Sequence, residues 1–364
     1  MPDLTRGDRV SHPAFGEGVV EAVHGDAATV RFVTGKPRTI LASHLERTLG
    51  SGLPSRAADV HTLFDAYLMV DWSANSSPKS GADSVWYCLL EPVDGRLMTT
   101  NPHTRHDASQ EIREQLVDLV TRGRRTLVGF DFPYGFPRGT SSRLGFTGEP
   151  AWRVMWDELG LLVEDRDDNR NNRFAVAADV NGGMSTGPAP FWGCPANHAG
   201  PFLQAKKPHP WPKEIPEFRL TERAGSGPKS VWQLYGAGSV GSQALLGIPR
   251  LAALRDDEAL RDVSFVWPFE GGESAPPAPS SSAPIIVHAE IYPALVPPSP
   301  FEGIKDAAQV RALAEHFARL DDAGDLAALF DLTALSPDVR QAVVAEEGWI
   351  LGMKDDTRSP VTGS

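Results

Sequence analysis

Two apolar runs that each close on an aspartate, "AYLMVD" at Asp71 and "RTLVGFD" at Asp131, constrain this chain more than any other feature. Both read as buried strands, and a strand that surfaces on a carboxylate has placed a charge where the core ends. Between them, "SVWYCLLEP" and "GRLMTT" read as two more strands. "SQEIREQLVDLVTRG" then spaces Ile112, Leu116, Val117 and Val120 as one face of a helix. The order is strand, strand, strand, helix, strand, with acids on the first and fourth strands.

The flanks divide the chain. Residues 1–49 read as a small all-β module: "GVVEAV" and "ATVRFV" are strand-like, "HGDA" supplies a turn, and "FGEG" allows a tight bend. A module this short is expected to be an SH3- or Tudor-like barrel. "GSGLPSRAAD" reads as a linker, set at 50–62. The second domain is expected over 63–353. Within it, 138–260 reads as a large insertion carrying substrate contacts, with a helix in "GEPAWRVMWDELGLL". "DVSFVWPFE" and "PIIVHAEIYP" are the next strands, separated by a low-complexity segment, 271–284, expected to be mobile. "KDAAQVRALAEHFARLDDAGDLAALFDLT" reads as helical with a break near Asp321, and 354–364 as a tail.

Composition excludes several classes. With 364 residues, 41% of them hydrophobic and 23% charged, the chain has material for a sizeable core and two domains. No apolar run approaches the roughly 20 residues that span a bilayer, and the N-terminus lacks the layout of a signal peptide. A cytoplasmic location and no membrane partner are expected. Two cysteines, Cys88 and Cys194, rule out a disulfide framework and offer no paired zinc ligands. A net charge of −12 argues against wrapping nucleic acid over the whole surface, yet suits a protein that gathers carboxylates around a cation.

The candidate metal ligands are the strand-end acids Asp71, Asp131 and Glu290, joined by Asp322 and Asp325 from the C-terminal helical region. Asp322 and Asp325 are three residues apart and so share a helix face. Oxygen ligands converging in this way suit Mg²⁺ or Mn²⁺, and two such ions clamp the attacking and leaving oxygens of a phosphodiester. The strand order is that of an RNase H-like sheet, in which the first and fourth strands are neighbours. The expected fold class is therefore α/β: an RNase H-like mixed sheet with flanking helices and a large insertion, preceded by the small barrel.

The motifs "VDWS", "GFDFPYGFP", "NRF", "KSVWQLYGAGSVGSQ", "AEIYP", "DDAGDLAAL" and "EGWILG" resemble a family of predicted nucleases with an RNase H-like fold, across nearly all of 65–353. The resemblance implies that Asp71 is the first-strand acid, Glu290 the later acid and Asp325 the acid of the C-terminal helix, as in resolvase-type members. "GDRVSHPAFGEGVV" looks like the Tudor-like module of UvrD-type helicases, which implies a docking surface for a protein partner.

Other motifs are weaker. "YGAGSVGSQ" holds GxGxxG at Gly236, Gly238 and Gly241, and "SVWQLY" before it reads as a strand. The helix after it is expected to fail at Gly247 and Pro249 within two turns, so a nicotinamide site is disfavoured. A glycine loop can still meet a phosphate through its N–H groups. Gly238, Ser239 and Ser242, with Lys229 and Arg173, are the expected substrate contacts. Trp192, Trp232 and Trp267 are expected in the core before any stacking role, and His288 as a core residue before a proton shuttle. The leading reading is a metal-dependent nuclease or phosphodiesterase acting on DNA or RNA. Its rivals are a non-catalytic nucleic-acid- or nucleotide-binding adaptor and, third, a phosphotransferase-like enzyme of small molecules.

Overall fold

The computed structural model describes residues 9–12, 16–25, 27–32, 38–41, 46–47, 62–225, 227–236, 238–271, 283–296 and 303–354. The chain divides into two compact units, 1–60 and 61–364. The expected linker lies almost wholly outside the described residues, as do most of the 271–284 segment and the tail after Lys354.

The first unit is an antiparallel sheet. Its strands are β1 (Arg9–His12), β2 (Gly16–His24), β3 (Ala27–Phe32), β4 (Arg38–Leu41) and β5 (Glu46–Arg47), in the order β4-β3-β2-β1-β5. Strand β3 alternates buried Ala28 and Val30 with half-buried Ala27 and Thr29, the period-2 mark of a sheet with one covered face. Val10 and Val20 complete its small core.

The second unit is built on a six-stranded mixed sheet. The strands are β6 (Ala66–Asp71), β7 (Trp86–Glu91), β8 (Arg96–Thr100), β9 (Arg125–Phe130), β10 (Ser264–Val266) and β11 (Ile285–Glu290). They lie in the order β10-β11-β9-β6-β7-β8. The hairpin strands β6, β7 and β8 are antiparallel; β6, β9, β11 and β10 are parallel. The expected neighbourhood of the first and fourth strands of this unit, β6 and β9, is therefore present.

Both faces of this sheet are covered, so its central strands are apolar throughout rather than alternating. One face carries Leu68, Val70 and Val128 against three helices: α1 (Arg105–Thr121), α3 (Ala151–Leu162) and α6 (Gly241–Arg255). Helix α1 begins at Thr104, whose hydroxyl accepts the Asp107 N–H at 3.0 Å. It buries Ala108, Ile112, Leu116 and Leu119 on one stripe. The opposite face carries Tyr67, Met69 and Val287 against α7 (Lys305–Asp322), which presents Val310, Leu313 and Phe317. Among the described residues no helix is long and apolar enough to cross a membrane.

The segment between β9 and β10 adds no strand to the sheet, as expected of an insertion. It does more than decorate it, because α3 and α6 are two of the three helices that cover one face. It also holds α2 (Thr140–Arg143), α4 (Arg173–Met184) and α5 (Leu220–Ala224). Two local expectations are overturned. "SVWQLY" is a turn with a single bridge from Gln233 to Trp192, not a strand. Helix α6 runs through Gly247 and Pro249 for 15 residues. Proline costs a helix interior about 3 kcal/mol, and burial of Leu245, Leu246, Ile248, Leu251 and Leu254 offsets it. Gly247 is a close approach: a Cβ there would overlap the Phe132 ring. Gly247→Ala should therefore destabilise the protein by about 1–3 kcal/mol, although alanine is the better helix former; thermal denaturation measures it.

Candidate active site

Strands β6 and β9 run side by side with Val70 opposite Phe130, so Asp71 and Asp131 leave the sheet at the same level. The Asp131 N–H donates to the Val70 carbonyl at 3.2 Å, extending the ladder by one bond. The Trp72 N–H donates to Asp131 Oδ1 at 2.7 Å. Side chains alternate along a strand, which puts Asp71 with Tyr67 and Met69 on the α7 side. The two carboxyls meet there, close enough to share a hydrogen bond.

Both carboxyls face a cleft of about 1030 Å³ yet are enclosed by protein on their other sides. Burial, then the Asp131 and Asp306 charges, hold Asp71 well above the ordinary carboxylate range. Burial also raises Asp131, against the opposing pull of the Trp72 N–H. Two carboxyls in this relation hold one proton between them and titrate as a pair.

A pH dependence follows. Folded-state values above the ordinary aspartate range mean that the folded protein holds more protons than the unfolded chain once the pH passes that range. Metal-free stability from this pair is greatest in acid and declines as pH rises through the raised values. Glu222, Glu347 and Asp321, also raised by burial, add a slope of the same sign. His288, held below the ordinary imidazole range by burial, slopes the other way in acid, so it is from neutral to mildly alkaline pH that the melting temperature should fall, and fall less steeply in Asp71→Asn.

The third acid at this site is Asp306, in the first turn of α7. Its Oδ2 accepts the Asp83 N–H at 2.7 Å, and both residues line the cleft. Its charge acts on Asp71 and Asp131 alike. An acid in a first turn reads from sequence as a partner of the helix dipole. The stripe Asp306, Val310, Leu313, Phe317 was the available signal that it faces the sheet.

Three expected ligands are elsewhere. Glu290 pairs with Phe130, one residue short of Asp131, so the period of two sends it to the opposite face of the sheet. There it is buried against Arg219, with Nη2 at 2.6 Å and Nη1 at 2.8 Å, and it accepts the Tyr134 N–H at 3.1 Å. Arg219 also holds Glu222 at 2.8 Å and the Glu347 carbonyl at 2.9 Å. Glu290 is the centre of a structural ion cluster.

Asp322 and Asp325 are at the far end of α7. Asp321 beside them accepts the N–H groups of Leu63 and Phe64 at 2.7 and 2.8 Å and the Tyr67 hydroxyl at 2.6 Å, tying this end of α7 to the start of β6. A six-residue strand is about 17 Å long, so this is the wrong end of β6 for Asp71. Asp325 is exposed and immediately precedes the short helix Leu326–Phe330, with no capping hydrogen bond from its side chain. His288 is buried beside Ser264 Oγ at 3.4 Å, and burial pushes it down to about 3, which leaves it neutral and out of the cleft.

The expected substrate contacts fare better: Arg173, Lys229, Gly238, Ser239 and Ser242 all line the cleft with Asp71 and Asp131. Arg173, 8% exposed at the start of α4, donates from Nε to Ser242 Oγ at 3.0 Å. Its Nη1 donates to Ser76 Oγ at 2.8 Å and Asn171 Oδ1 at 2.7 Å. Among the described residues no carboxylate pairs with it, and Nη2 makes no hydrogen bond. Burial, with the Arg105 charge, lowers it to about 10. Gly238 takes φ +71°, a conformation glycine adopts without strain. Arg105 fixes the loop after Asp71, donating to the carbonyls of Ser73 at 3.1 Å and Asn75 at 2.6 Å while it grips Asp165 at 2.5 Å. Trp192, Trp232 and Trp267 do not line the cleft.

Among the described residues no group of three or more His, Cys, Asp or Glu side chains is gathered tightly enough to enclose a metal ion. A closed structural site is thus a poor fit. An open one fits: Mg²⁺ keeps several waters and takes one or two carboxylates plus a substrate phosphate. Asp71 and Asp131 supply those carboxylates, and a cation would take the place of the proton they share.

No protein-family model, no curated protein and no solved structure matches this chain.

Proposed function

We propose that the protein is a Mg²⁺- or Mn²⁺-dependent phosphodiesterase acting on nucleic acid, its site borne by an RNase H-like domain and its N-terminal module serving as a docking barrel for a protein partner. The observation that supports this best is that one cleft brings together two opposite chemistries. It holds a pair of adjacent carboxyls with raised proton affinity, and it holds Arg173, a buried cation without a carboxylate among the described residues. A phosphodiester with its cation satisfies both. Strand order supports the RNase H-like reading, since β6 and β9 bring their acids together at the centre of the sheet.

Asp71 and Asp131 would hold the cation, with Asp306 close enough to add negative charge. The cation would supply Lewis-acid polarisation of the phosphoryl oxygen and a more acidic water. Arg173 would hold a phosphate of the substrate with a fixed donor. The water oxygen bonds to phosphorus, the bridging P–O bond breaks, and the leaving oxygen gains the proton that the new phosphate releases. Cleavage of a fluorescent oligonucleotide with Mg²⁺, Mn²⁺ or excess chelator tests the proposal; equal products with and without chelator would sink it. A second reading, the non-catalytic adaptor, draws on the small number of direct ligands, two carboxylates. It predicts binding without products in every metal.

A further inference from the structure

The cleft is an odd place to seat the middle of a duplex. Its lining cations are Arg173, Lys229 and Lys305, against the four aspartates Asp71, Asp83, Asp131 and Asp306. A protein that tracks duplex DNA neutralises roughly 6–10 phosphates, and this cleft has charge for very few. Elsewhere in the unit several arginines are committed to acids: Arg105 and Arg250 to Asp165, Arg219 to Glu290, Arg153 to Asp256, Arg255 to Glu270. The volume, about 1030 Å³, matches the upper end of small-molecule sites.

Two of the lining cations, Arg173 and Lys229, lie against the turn that opens α6: Arg173 is bonded to Ser242, and Lys229 packs beside Gly238. The first turn of α6, a 15-residue helix, opens on to the cleft at Val240, Ser242 and Gln243. Its partial positive charge favours an anion, with the Gly241 N–H already taken by the Gln233 carbonyl at 2.9 Å. Arg173 is bonded to Ser242 in that turn and leaves Nη2 without a partner among the described residues. Lys229 and the Gly238–Ser239 bend close the same corner, and neither Lys229 nor Lys305 has an ion pair among the described residues. The Asp71–Asp131 pair supplies a place for a scissile ester; this corner supplies a place for a second anion that the reaction does not consume.

We propose that the cleft takes a nucleotide-sized phosphodiester carrying a terminal phosphate, with that phosphate on Arg173 and the first turn of α6 and the scissile ester at Asp71 and Asp131. This rests on the phosphodiesterase reading for the second half only. The source is either a free short oligonucleotide or the phosphorylated end of a longer single strand.

The test uses the full chain with Mn²⁺ and a thymidine dinucleotide bearing a 5′- or 3′-phosphate, or neither. One phosphorylated form should be cleaved with kcat/KM about tenfold or more above the bare dinucleotide, the worth of one charge-assisted contact. That ratio should collapse towards one in Arg173→Ala. It should collapse too in Ser239→Asp, whose acid near a helix N-terminus leaves the fold intact while repelling phosphate. Equal cleavage of a long phosphorylated single strand assigns the strand end as the source; cleavage of the dinucleotide alone assigns the free form. Equal kcat/KM with and without the phosphate in the wild type overturns the proposal. So does fastest cleavage inside a duplex with a steep salt dependence. Calorimetry on Asp71→Asn separates the two claims. If nothing is cleaved yet binding still needs the terminal phosphate and is lost in Ser239→Asp, the subsite stands and the phosphodiesterase reading falls. Binding indifferent to the phosphate overturns the subsite.

Discussion

Asp71→Asn should abolish metal-dependent cleavage, by about a thousandfold or more, while the metal-free protein melts no lower than the wild type. Asparagine keeps the shape of the side chain and a hydrogen bond to Asp131, but removes half of the negative charge that draws the cation. A bound cation supplies several kcal/mol of charge stabilisation in such reactions, and each roughly 1.4 kcal/mol is tenfold in rate. The stability half of the expectation comes from the same burial. Asp71 pays desolvation and faces three other acids, Asp131, Asp306 and Asp83, so neutralising it removes a repulsion above neutral pH. A structural aspartate would behave the other way, losing stability with no specific loss of rate. Single-turnover cleavage and thermal melts of the same preparation read both halves.

Arg219→Ala should be the most damaging change away from the cleft, destabilising by about 3–5 kcal/mol, the cost of orphaning a buried charge. In a protein of this size that lowers the melting temperature by roughly 10 °C. The guanidinium is 1% exposed and is shared between Glu290 and Glu222, with the Glu347 carbonyl as a further acceptor. Without it, two buried carboxylates face each other, and burial already raises Glu222. Glu290→Gln should be milder and, below its melting temperature, should cleave at the wild-type rate. A thousandfold loss in Glu290→Gln would restore Glu290 to the site and refute the assignment to a structural cluster.

What the sequence shows about this site stops where long-range geometry begins. Asp71 and Asp131 were legible because each ends an apolar run, and the strand order made those runs neighbours. The other cleft-lining residues, Arg173, Lys229, Gly238, Ser239 and Ser242, were legible as a glycine loop beside basic residues. Glu290 carries the same local mark, an acid at the end of a strand. Only the register, Glu290 against Phe130, sets it on the other face of the sheet. The C-terminal helix posed the converse problem: it has acids at both ends, and which end lies over Asp71 depends on its direction across the sheet. The doublet Asp321–Asp322 and nearby Asp325 drew attention to the wrong end, while the single Asp306 was the one that mattered. Helix α6 shows a further limit. Gly247 and Pro249 break an isolated helix, yet here a phenylalanine ring fills the space that glycine leaves and a buried apolar face carries the proline.

The most direct measurement is a calorimetric titration of Mn²⁺ into the metal-free full chain near neutral pH, repeated in buffers of different ionisation enthalpy. The account predicts saturable binding that releases protons, because the cation displaces the one shared by Asp71 and Asp131, and predicts its loss in Asp71→Asn. No saturable heat in the wild type, or the same isotherm in Asp71→Asn, would contradict it.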